Sequence, residues 1–327
     1  MDNVSSSSRD LVTGFPQGSV LGPFMYPVYT SPLFEIASRH GLQIHMYADD
    51  TQVYLSFSVH EENQAVELVQ DCLAEIRQWM FRNHLKLNDS KTEFLIIGNQ
   101  QMTKQLNGVN HIVIGDSSVT AVDHAKNIGV ILDSQLDMTK HVNETCKTCY
   151  MHIHNISKIR NKLNEEATAT LINALVTSRL DYANAILYGI PDCLLKKLEA
   201  VQKSAARLVF KKKKSCNADL LLEKLHWLPV KYRIEYKINL LTFKCIHNMA
   251  PKYLIDLVNP YTPALNLRSS KQGKLLEKGA RLHKTDRTFS CAAPSLWNDL
   301  PIEIRSVEDL CAFKRVLKTH YFRIAFT

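Results

Sequence analysis

The spacing of apolar residues changes once along this chain, and that change constrains the fold more than any other feature. Before residue 138, segments in which apolar and polar residues alternate stand beside segments with helical spacing. From His141 onward, apolar residues recur almost everywhere at intervals of three and four. This spacing predicts helices over about 141–161, 165–188, 192–212, 216–226 and 229–248. We therefore expect an α+β part followed by a mostly α-helical part.

Shorter patterns predict the elements of the first part. Alternation within Gln43–Phe57 predicts two short strands around a polar turn. Apolar residues alternate on each side of that turn, at Ile44, Met46 and Ala48 before it and at Val53, Leu55 and Phe57 after it. A long helical face follows, formed by Ala65, Leu68, Val69, Cys72, Leu73, Ile76, Trp79 and Met80. Further expected elements are a strand at Phe94–Ile97, a hairpin over His111–Val122 that turns at Gly115-Asp116, and a strand at Asn127–Leu132.

Composition narrows the class of protein. With 45% hydrophobic and 22% charged residues, the 327-residue chain is not wholly disordered. It has no apolar run of 18 residues, and the polar, serine-rich Met1–Asp10 is not a secretory signal, so we expect no contact with a membrane. Eight cysteines are too few for a disulfide scaffold and predict free thiols. An intracellular location, in the nucleus or cytoplasm, is therefore expected.

The net charge of +8 conceals a division between two parts of the chain. Residues 1–138 carry 8 Lys+Arg and 16 Asp+Glu, a net charge of −8, whereas residues 139–327 carry 32 and 16, a net charge of +16. The basic part is able to approach a polyanion such as a nucleic acid. Alternatively, its basic residues are scattered over solvated helix faces.

Two adjacent carboxylates stand at the predicted turn between the first two strands. Asp49 and Asp50 repel each other, and a divalent cation would remove that repulsion. Magnesium prefers carboxylate oxygens together with substrate phosphates, and two-metal phosphoryl transfer uses such pairs. The other interpretation is a solvated Asp-Asp-Thr turn with no chemistry.

Four blocks in order favour the catalytic interpretation. Gly14–Pro23, Tyr47–Asp50, Lys91–Glu93 and Asn127–Asp133 resemble motifs B, C, D and E in the palm of a reverse transcriptase from a non-LTR (LINE-type) retrotransposon. Later blocks resemble the C-terminal region of jockey- and chicken-repeat-type elements, namely Ser178–Tyr182, Leu225–Val230, Arg233-Ile234, Ala250–Leu254, Leu267–Ser269 and Ala293–Pro301. The resemblance extends from about residue 12 to residue 327.

The resemblance implies a catalytic set. Asp49 and Asp50 would bind Mg²⁺, with Asp49 the more essential ligand, and Lys91 would lie near the triphosphate as a candidate proton donor to pyrophosphate. The implied reaction is attack of a primer hydroxyl on the α-phosphate of a nucleotide, with metals stabilising the charge that develops.

The resemblance also implies a set of substrate contacts. Gln17 and Gly18 would sit near the incoming nucleotide and the template, while Tyr47 and Ala48 would shape the turn. The implied partners are an RNA template, a DNA primer or target, and nucleotides.

The same resemblance assigns domains. Residues 1–138 would be a partial palm in which motif A and the fingers are absent, 139–263 a helical thumb or connection region, and 264–327 an irregular tail with a final helix near Val307–Tyr321. Upstream of Gly14 only Asp2 and Asp10 could replace the motif A aspartate, and neither stands in a strand-like run. We therefore expect a truncated RNA-directed DNA polymerase with little or no activity by itself.

Two other functions remain open: a non-catalytic, basic nucleic-acid-binding or interaction protein, and a relic with no selected role. The run Lys211–Lys214 is either a nuclear-import or backbone-contacting patch, or positive charge that complements a helix C-terminus. Cys146 and Cys149 lie one helical turn apart near several histidines, but a second ligand pair at fixed spacing is lacking, so no zinc is expected.

Overall fold

The chain forms two compact units, divided between Leu136 and Asp137, in a computed structural model. The model describes residues 14, 18–106, 109–115, 117–261, 273–277 and 285–327. The first unit mixes helices with small sheets and the second is mostly helical, which confirms the expected α+β class. Among the described helices, none has the length and apolar character needed to cross a bilayer.

The described elements have the following bounds. The helices are α1 Gly22–Tyr29, α2 Pro32–Arg39, α3 Glu62–Arg82, α4 Gln100–Thr103, α5 Thr139–Ile159, α6 Glu165–Ile172, α7 Ser178–Asp181, α8 Asp192–Val209, α9 Ala218–Lys224, α10 Val230–Ile246, α11 Lys252–Ile255, α12 Phe289–Asp299, α13 Ile302–Arg305 and α14 Leu310–Phe326. The strands are β1 Gln43–Tyr47, β2 Asp50–Tyr54, β3 Phe94–Leu95, β4 His111–Ile114, β5 Ser117–Val122, β6 His124–Asn127 and β7 Val130–Asp133.

The core of the first unit lies between α2, α3 and the β1–β2 hairpin. Its buried members include Leu33 and Ile36 of α2, Ile44 of β1, and Cys72 and Ile76 of α3. The helical face predicted for α3 is therefore the face that packs.

The two strands predicted on either side of the turn are present, and their apolar residues share one face. Ile44 is paired with Val53 across the antiparallel strands, so both side chains lie on one face. Met46, Val53 and Leu55 all pack against the same core as Ile44. The two-residue turn sets this register, which brings the apolar positions of both strands to the side covered by α3.

Two further sheets complete the first unit. β5 lies between β3, which is parallel to it, and β4, which is antiparallel to it; the β4–β5 hairpin was predicted, although Asp116 of its turn lies outside the described residues. Gly115 takes φ +60°, and a Cβ there would meet the guanidinium of Arg77 at 2.7 Å. The single strand predicted at Asn127–Leu132 is wrong, because β6 and β7 form a hairpin that turns at Ile128-Gly129.

The second unit is built on the packing of α8. Leu198, Val201, Gln202, Ala205, Ala206 and Val209, the predicted small-residue face, are all buried. The buried Arg160 donates hydrogen bonds to the carbonyl oxygens of Leu208 (2.9 Å), Leu163 (2.6 Å) and Val209. The guanidinium group of Arg160 therefore donates hydrogen bonds to the last two carbonyl groups of α8. These carbonyl groups have no N–H partner within the helix itself.

The helix predicted over 165–188 is shorter than expected. α6 continues through a π-helical segment, Asn173–Thr177, into α7 and ends at Asp181. Tyr182 is extended and Ala183 takes φ +50°, which stops the helix. Arg233 of α10 donates to both carboxylate oxygens of Asp181, from Nε at 2.7 Å and from Nη2. This bidentate pair fixes the end of α7 against α10.

The predicted final helix of the tail is present as α14, but the tail is less irregular than expected. α12 and α13 precede α14, and Trp297 of α12 stacks near Phe313 of α14, with ring centroids 5.7 Å apart. Phe313 also stacks on Phe243 of α10 at 4.3 Å. The three aromatic residues form a buried centre that joins α10, α12 and α14.

Candidate active site

The Tyr47–Asp50 turn is a tight hairpin turn. Tyr47 pairs with Asp50 across the strands, so Ala48 and Asp49 form the two-residue loop. Ala48 takes φ +52°, the positive value that two-residue hairpins need at their first central position. The side chains of Tyr47, Asp49 and Asp50 are exposed. Both carboxylates therefore stand at the surface within two consecutive residues.

Packing below the strands holds this turn in place. Ile44 is buried against α3, and on the other face the His45 ring stacks on Tyr54, with centroids 5.4 Å apart and a 3.0 Å hydrogen bond between Nε2 and the hydroxyl. These contacts position the turn through the strands rather than through its own side chains.

The carboxylates of the turn have the chemistry of a site for a hard cation. Within the described residues, neither Asp49 nor Asp50 forms an ion pair with a Lys, Arg or His side chain. Carboxylate oxygens are the donors that Mg²⁺ takes, and Mg²⁺ keeps water or phosphate oxygens in its other positions. In the same described residues, no three His, Cys, Asp or Glu side chains are grouped to hold a metal. The turn thus fits the metal with two protein ligands.

Tyr26 is a site residue that the sequence analysis missed. Burial, and then the negative charge of Asp49, raise the pKa of the Tyr26 hydroxyl above its ordinary value. Tyr26 lies in α1 and is half-buried. Its position three residues after the Gly14–Pro23 block was the available signal, but nothing in the sequence shows that the charge of Asp49 acts on its hydroxyl.

Tyr29 attaches α1 to α3. Its hydroxyl donates a 2.9 Å hydrogen bond to the carbonyl oxygen of Asn83, and its ring lies 6.1 Å from that of Trp79. No residue of α1 is buried, and Phe24 and Val28 are 72% and 66% exposed. Helix α1 therefore presents an apolar surface.

The other predicted site residues are more dispersed. Gly18 is exposed with φ +85°, and Gln17 lies outside the described residues. Lys91 is exposed at the end of a single 3₁₀ turn and, as far as the structure describes the chain, makes no ion pair with the Tyr47–Asp50 turn. Glu93 accepts a 3.1 Å hydrogen bond from the backbone of Lys126, which ties the Lys91–Glu93 block to β6.

The thiols of α5 are buried inside the second unit. Burial raises the pKa of Cys146, and that of Cys149 to about 12, so both are protonated at neutral pH. All eight cysteines are free, as predicted. The absence of zinc stays a prediction.

Comparison with known proteins assigns the first unit. Residues 1–132 match the family described as "Reverse transcriptase (RNA-dependent DNA polymerase)". This segment is therefore similar to a reverse transcriptase domain. The Tyr47–Asp50 turn and the helix α1 both fall within that segment.

Curated relatives extend the similarity beyond this segment. The chain is 31% identical over 198 residues to the probable RNA-directed DNA polymerase from transposon BS of Drosophila melanogaster, covering 58% of the chain and 20% of the relative. It is 25% identical over 209 residues to that from transposon X-element of the same species, covering 62% and 22%. It is 27% identical over 197 residues to the polymerase from mobile element jockey of Drosophila funebris, covering 58% and 21%.

These matches confirm the resemblance to polymerases of jockey-like, non-LTR elements. A match of 209 residues is longer than the first unit, so the similarity reaches the second. It covers about 60% of the chain, less than the nearly complete coverage expected from the sequence blocks. The chain spans about a fifth of the length of the curated relatives it matches. No solved structure matches it.

Proposed function

We propose that this chain serves RNA-directed DNA synthesis, with residues 1–138 as the palm, 139–263 as the thumb and 264–327 as a C-terminal region. The Tyr47–Asp50 turn carries the proposal, because it presents two adjacent, exposed carboxylates inside a segment similar to a reverse transcriptase domain. The proposed partners are an RNA template, a DNA primer or target, and nucleotides. The names of the curated relatives, all RNA-directed DNA polymerases, support this choice.

In the proposed site, Asp49 and Asp50 would hold a divalent cation, and their hard oxygen donors favour Mg²⁺. A bound metal supplies positive charge to the attacking and leaving oxygens of an in-line displacement. The proposed task of Lys91, an exposed cation, is to donate a proton to pyrophosphate as it leaves.

The remaining residues of the proposed site shape it and contact substrate. Tyr47 and Ala48 are proposed to shape the turn. The positive φ of Ala48 lets the chain reverse within Ala48 and Asp49, directly before β2 begins. Gln17 and Gly18 are proposed to contact the nucleotide and the template. Tyr26, whose hydroxyl is coupled to Asp49, is proposed to position that carboxylate.

We also propose that the polypeptide of residues 1–327 does not extend a primer by itself. Two-metal transfer requires a further carboxylate beside the pair at the turn. The upstream candidates Asp2 and Asp10 lie outside the described residues. The proposal therefore separates metal binding, which the turn supports, from catalysis, which needs more ligands.

Metal binding tests the proposal directly. Mn²⁺ added to the chain should enhance water-proton relaxation, and both Asp49→Asn and Asp50→Asn should abolish that enhancement because each removes a charged ligand. Asp71→Asn, which changes an exposed aspartate of α3, is the matched control and should bind Mn²⁺ as the unchanged chain does. Equal Mn²⁺ binding by all three variants would overturn the site.

Primer extension is the second measurement. With an RNA template, a DNA primer, Mg²⁺ and nucleotides, extension by the 327-residue chain should stay at background. Extension that disappears in Asp49→Ala would overturn the proposed inactivity of this polypeptide while supporting the catalytic role of Asp49.

The net charge of +16 on residues 139–327 favours a second candidate, a non-catalytic nucleic-acid-binding protein. That function would need no metal at the turn, so the Mn²⁺ measurement separates the two. Both proposals place the protein inside the cell, in the nucleus or cytoplasm, and its eight free thiols support a reducing compartment.

A further inference from the structure

A groove opens on the second unit between α5, α8 and the segment that follows α8. Its volume is about 740 Å³. Tyr150 and Ile153 of α5 form one wall, and the small side chains of Ala200 and Ser204 line α8. The groove is distant in sequence from the Tyr47–Asp50 turn and belongs entirely to the second unit.

The end of α8 decides which lysines reach this groove. The backbone N–H of Lys211 donates to the carbonyl of Leu208 (3.3 Å), and that of Lys212 donates to the carbonyl of Arg207 (2.9 Å). Lys211 takes φ +50°, so these bonds form a Schellman motif that reverses the chain. Lys212 and Lys214 thereby line the groove, whereas Lys211 and Lys213 do not.

A second set of bonds fixes the reversed segment. Arg207 donates from Nε and Nη2 to the carbonyl oxygen of Cys216, both at 3.3 Å. The N–H of Cys216 in turn donates to the carbonyl of Lys213 at 3.0 Å. The lysines are therefore held beside α8 by ordered backbone and do not simply extend the helix into solvent.

The charges of the groove are of one sign. Lys203, Arg207, Lys212 and Lys214 line it, and none of its lining residues is acidic. Lys203 is paired with Asp219 at 2.9 Å, outside the lining. The positive charges of Arg207, Lys212 and Lys214 remain to attract a polyanion.

The α5 wall supplies a surface for stacking. Tyr150 is 42% exposed although its helix is packed against α8. Cations and an aromatic side chain that line one groove are the combination with which proteins hold single-stranded nucleic acid, since phosphates meet the cations and a base stacks on the ring.

We propose that this groove binds a single strand of nucleic acid, with its phosphates against Lys212 and Lys214 and a base on Tyr150. This inference goes beyond the Tyr47–Asp50 site and holds whether or not that site carries a metal. It also decides between the two interpretations of Lys211–Lys214, because the lysines that line the groove contact the strand and their neighbours do not.

The lysine run offers matched variants for the test. Binding of a fluorescein-labelled, mixed-sequence 20-nucleotide RNA strand to the full chain would be measured by anisotropy in EDTA, so metal binding at the turn does not contribute. Lys212→Gln with Lys214→Gln should lower affinity about tenfold and reduce the salt slope by about 1.4, the effect of two lost phosphate contacts. Lys211→Gln with Lys213→Gln removes the same charge and should change affinity less than about threefold.

The aromatic wall has its own pair of variants. Tyr150→Leu should lower affinity about tenfold, whereas Tyr150→Phe, which keeps the stacking surface, should restore it. Circular dichroism would verify that each variant is folded. Equal losses in the two lysine pairs would overturn the groove in favour of overall charge. Equal competition by duplex RNA or by poly-glutamate would overturn the assignment to a single strand.

Discussion

Two hairpin turns of the first unit, β1–β2 and β6–β7, place non-glycine residues at positive φ. Ala48 takes φ +52° and Ile128 takes φ +41°, values that L-residues with a side chain avoid. Ile128 is the more costly, because its β-branched side chain is constrained further. Both residues stand where the chain must reverse in two residues, and each is held there by the strand pairing on either side.

Replacement of Ile128 should relieve this strain. Ile128 and Gly129 both have positive φ, the pattern of a type I′ turn, for which Asn-Gly is the preferred sequence. Ile128→Asn should therefore stabilise the domain by about 1 kcal/mol, measured by urea unfolding followed by circular dichroism. Ile128→Val keeps the branched side chain and should give no gain. A gain of equal size in both variants would contradict the strain argument.

At the scale of elements, helices end at residues that are not glycine. α3, α8, α9 and α10 close with the Schellman pattern at His84, Lys211, His226 and Asn248, all with positive φ. Among the described helices that end in this pattern, α2 alone uses a glycine, Gly41. The usual stop signal is therefore missing from the sequence, and the predicted ends of α8, α9 and α10 overshoot by two or three residues for this reason.

Replacement of Arg160 tests how much its hydrogen bonds to the end of α8 stabilise the second unit. Arg160→Met would leave the carbonyls of Leu208, Leu163 and Val209 without their charged donor in a buried place, which should cost about 3 kcal/mol. Lys162→Met, on the same turn but exposed, is the control and should change the free energy of unfolding little. Chemical unfolding of the second unit would measure both. A cost below about 1 kcal/mol for Arg160→Met would show that other groups satisfy these carbonyls.

At the scale of the whole molecule, each unit has its own buried core. Leu33, Ile36, Cys72 and Ile76 belong to the first, and Trp297, Phe243 and Phe313 to the second. Ile44 is part of the first core, and Met46, Val53 and Leu55 of the same hairpin segment pack against it. Within the described residues of the first unit, α1 contributes several exposed apolar side chains, among them Phe24 and Val28.

This distribution predicts how the two units behave when they are produced separately. Residues 137–327 should unfold in one cooperative transition by circular dichroism. Residues 1–136 should fold but aggregate through α1, because Phe24 and Val28 offer apolar surface to solvent.

A charge placed on α1 tests the cause of that aggregation. Phe24→Glu should raise the solubility of residues 1–136, whereas Ser31→Glu adds the same charge at an exposed position beyond α1 and should do much less. The two variants would be compared by the soluble fraction after centrifugation. Equal solubility of the two variants would mean that net charge, rather than the apolar face, controls aggregation.

Local patterns in the sequence were enough to predict the β1–β2 hairpin, the long helix α3, the buried face of α8 and the family that the first unit resembles. Each depends on residues within a few positions of one another, whose periodicity and turn chemistry are written in the chain itself. The tertiary structure alone decided that Asp181 meets Arg233 and that Lys212 but not Lys211 lines a groove. Asp181 and Arg233 are far apart in sequence, so they meet only after the core has fixed how their helices pack. Lys211 and Lys212 are adjacent lysines, and only the reversal of the backbone at the end of α8 determines which of them lines the groove.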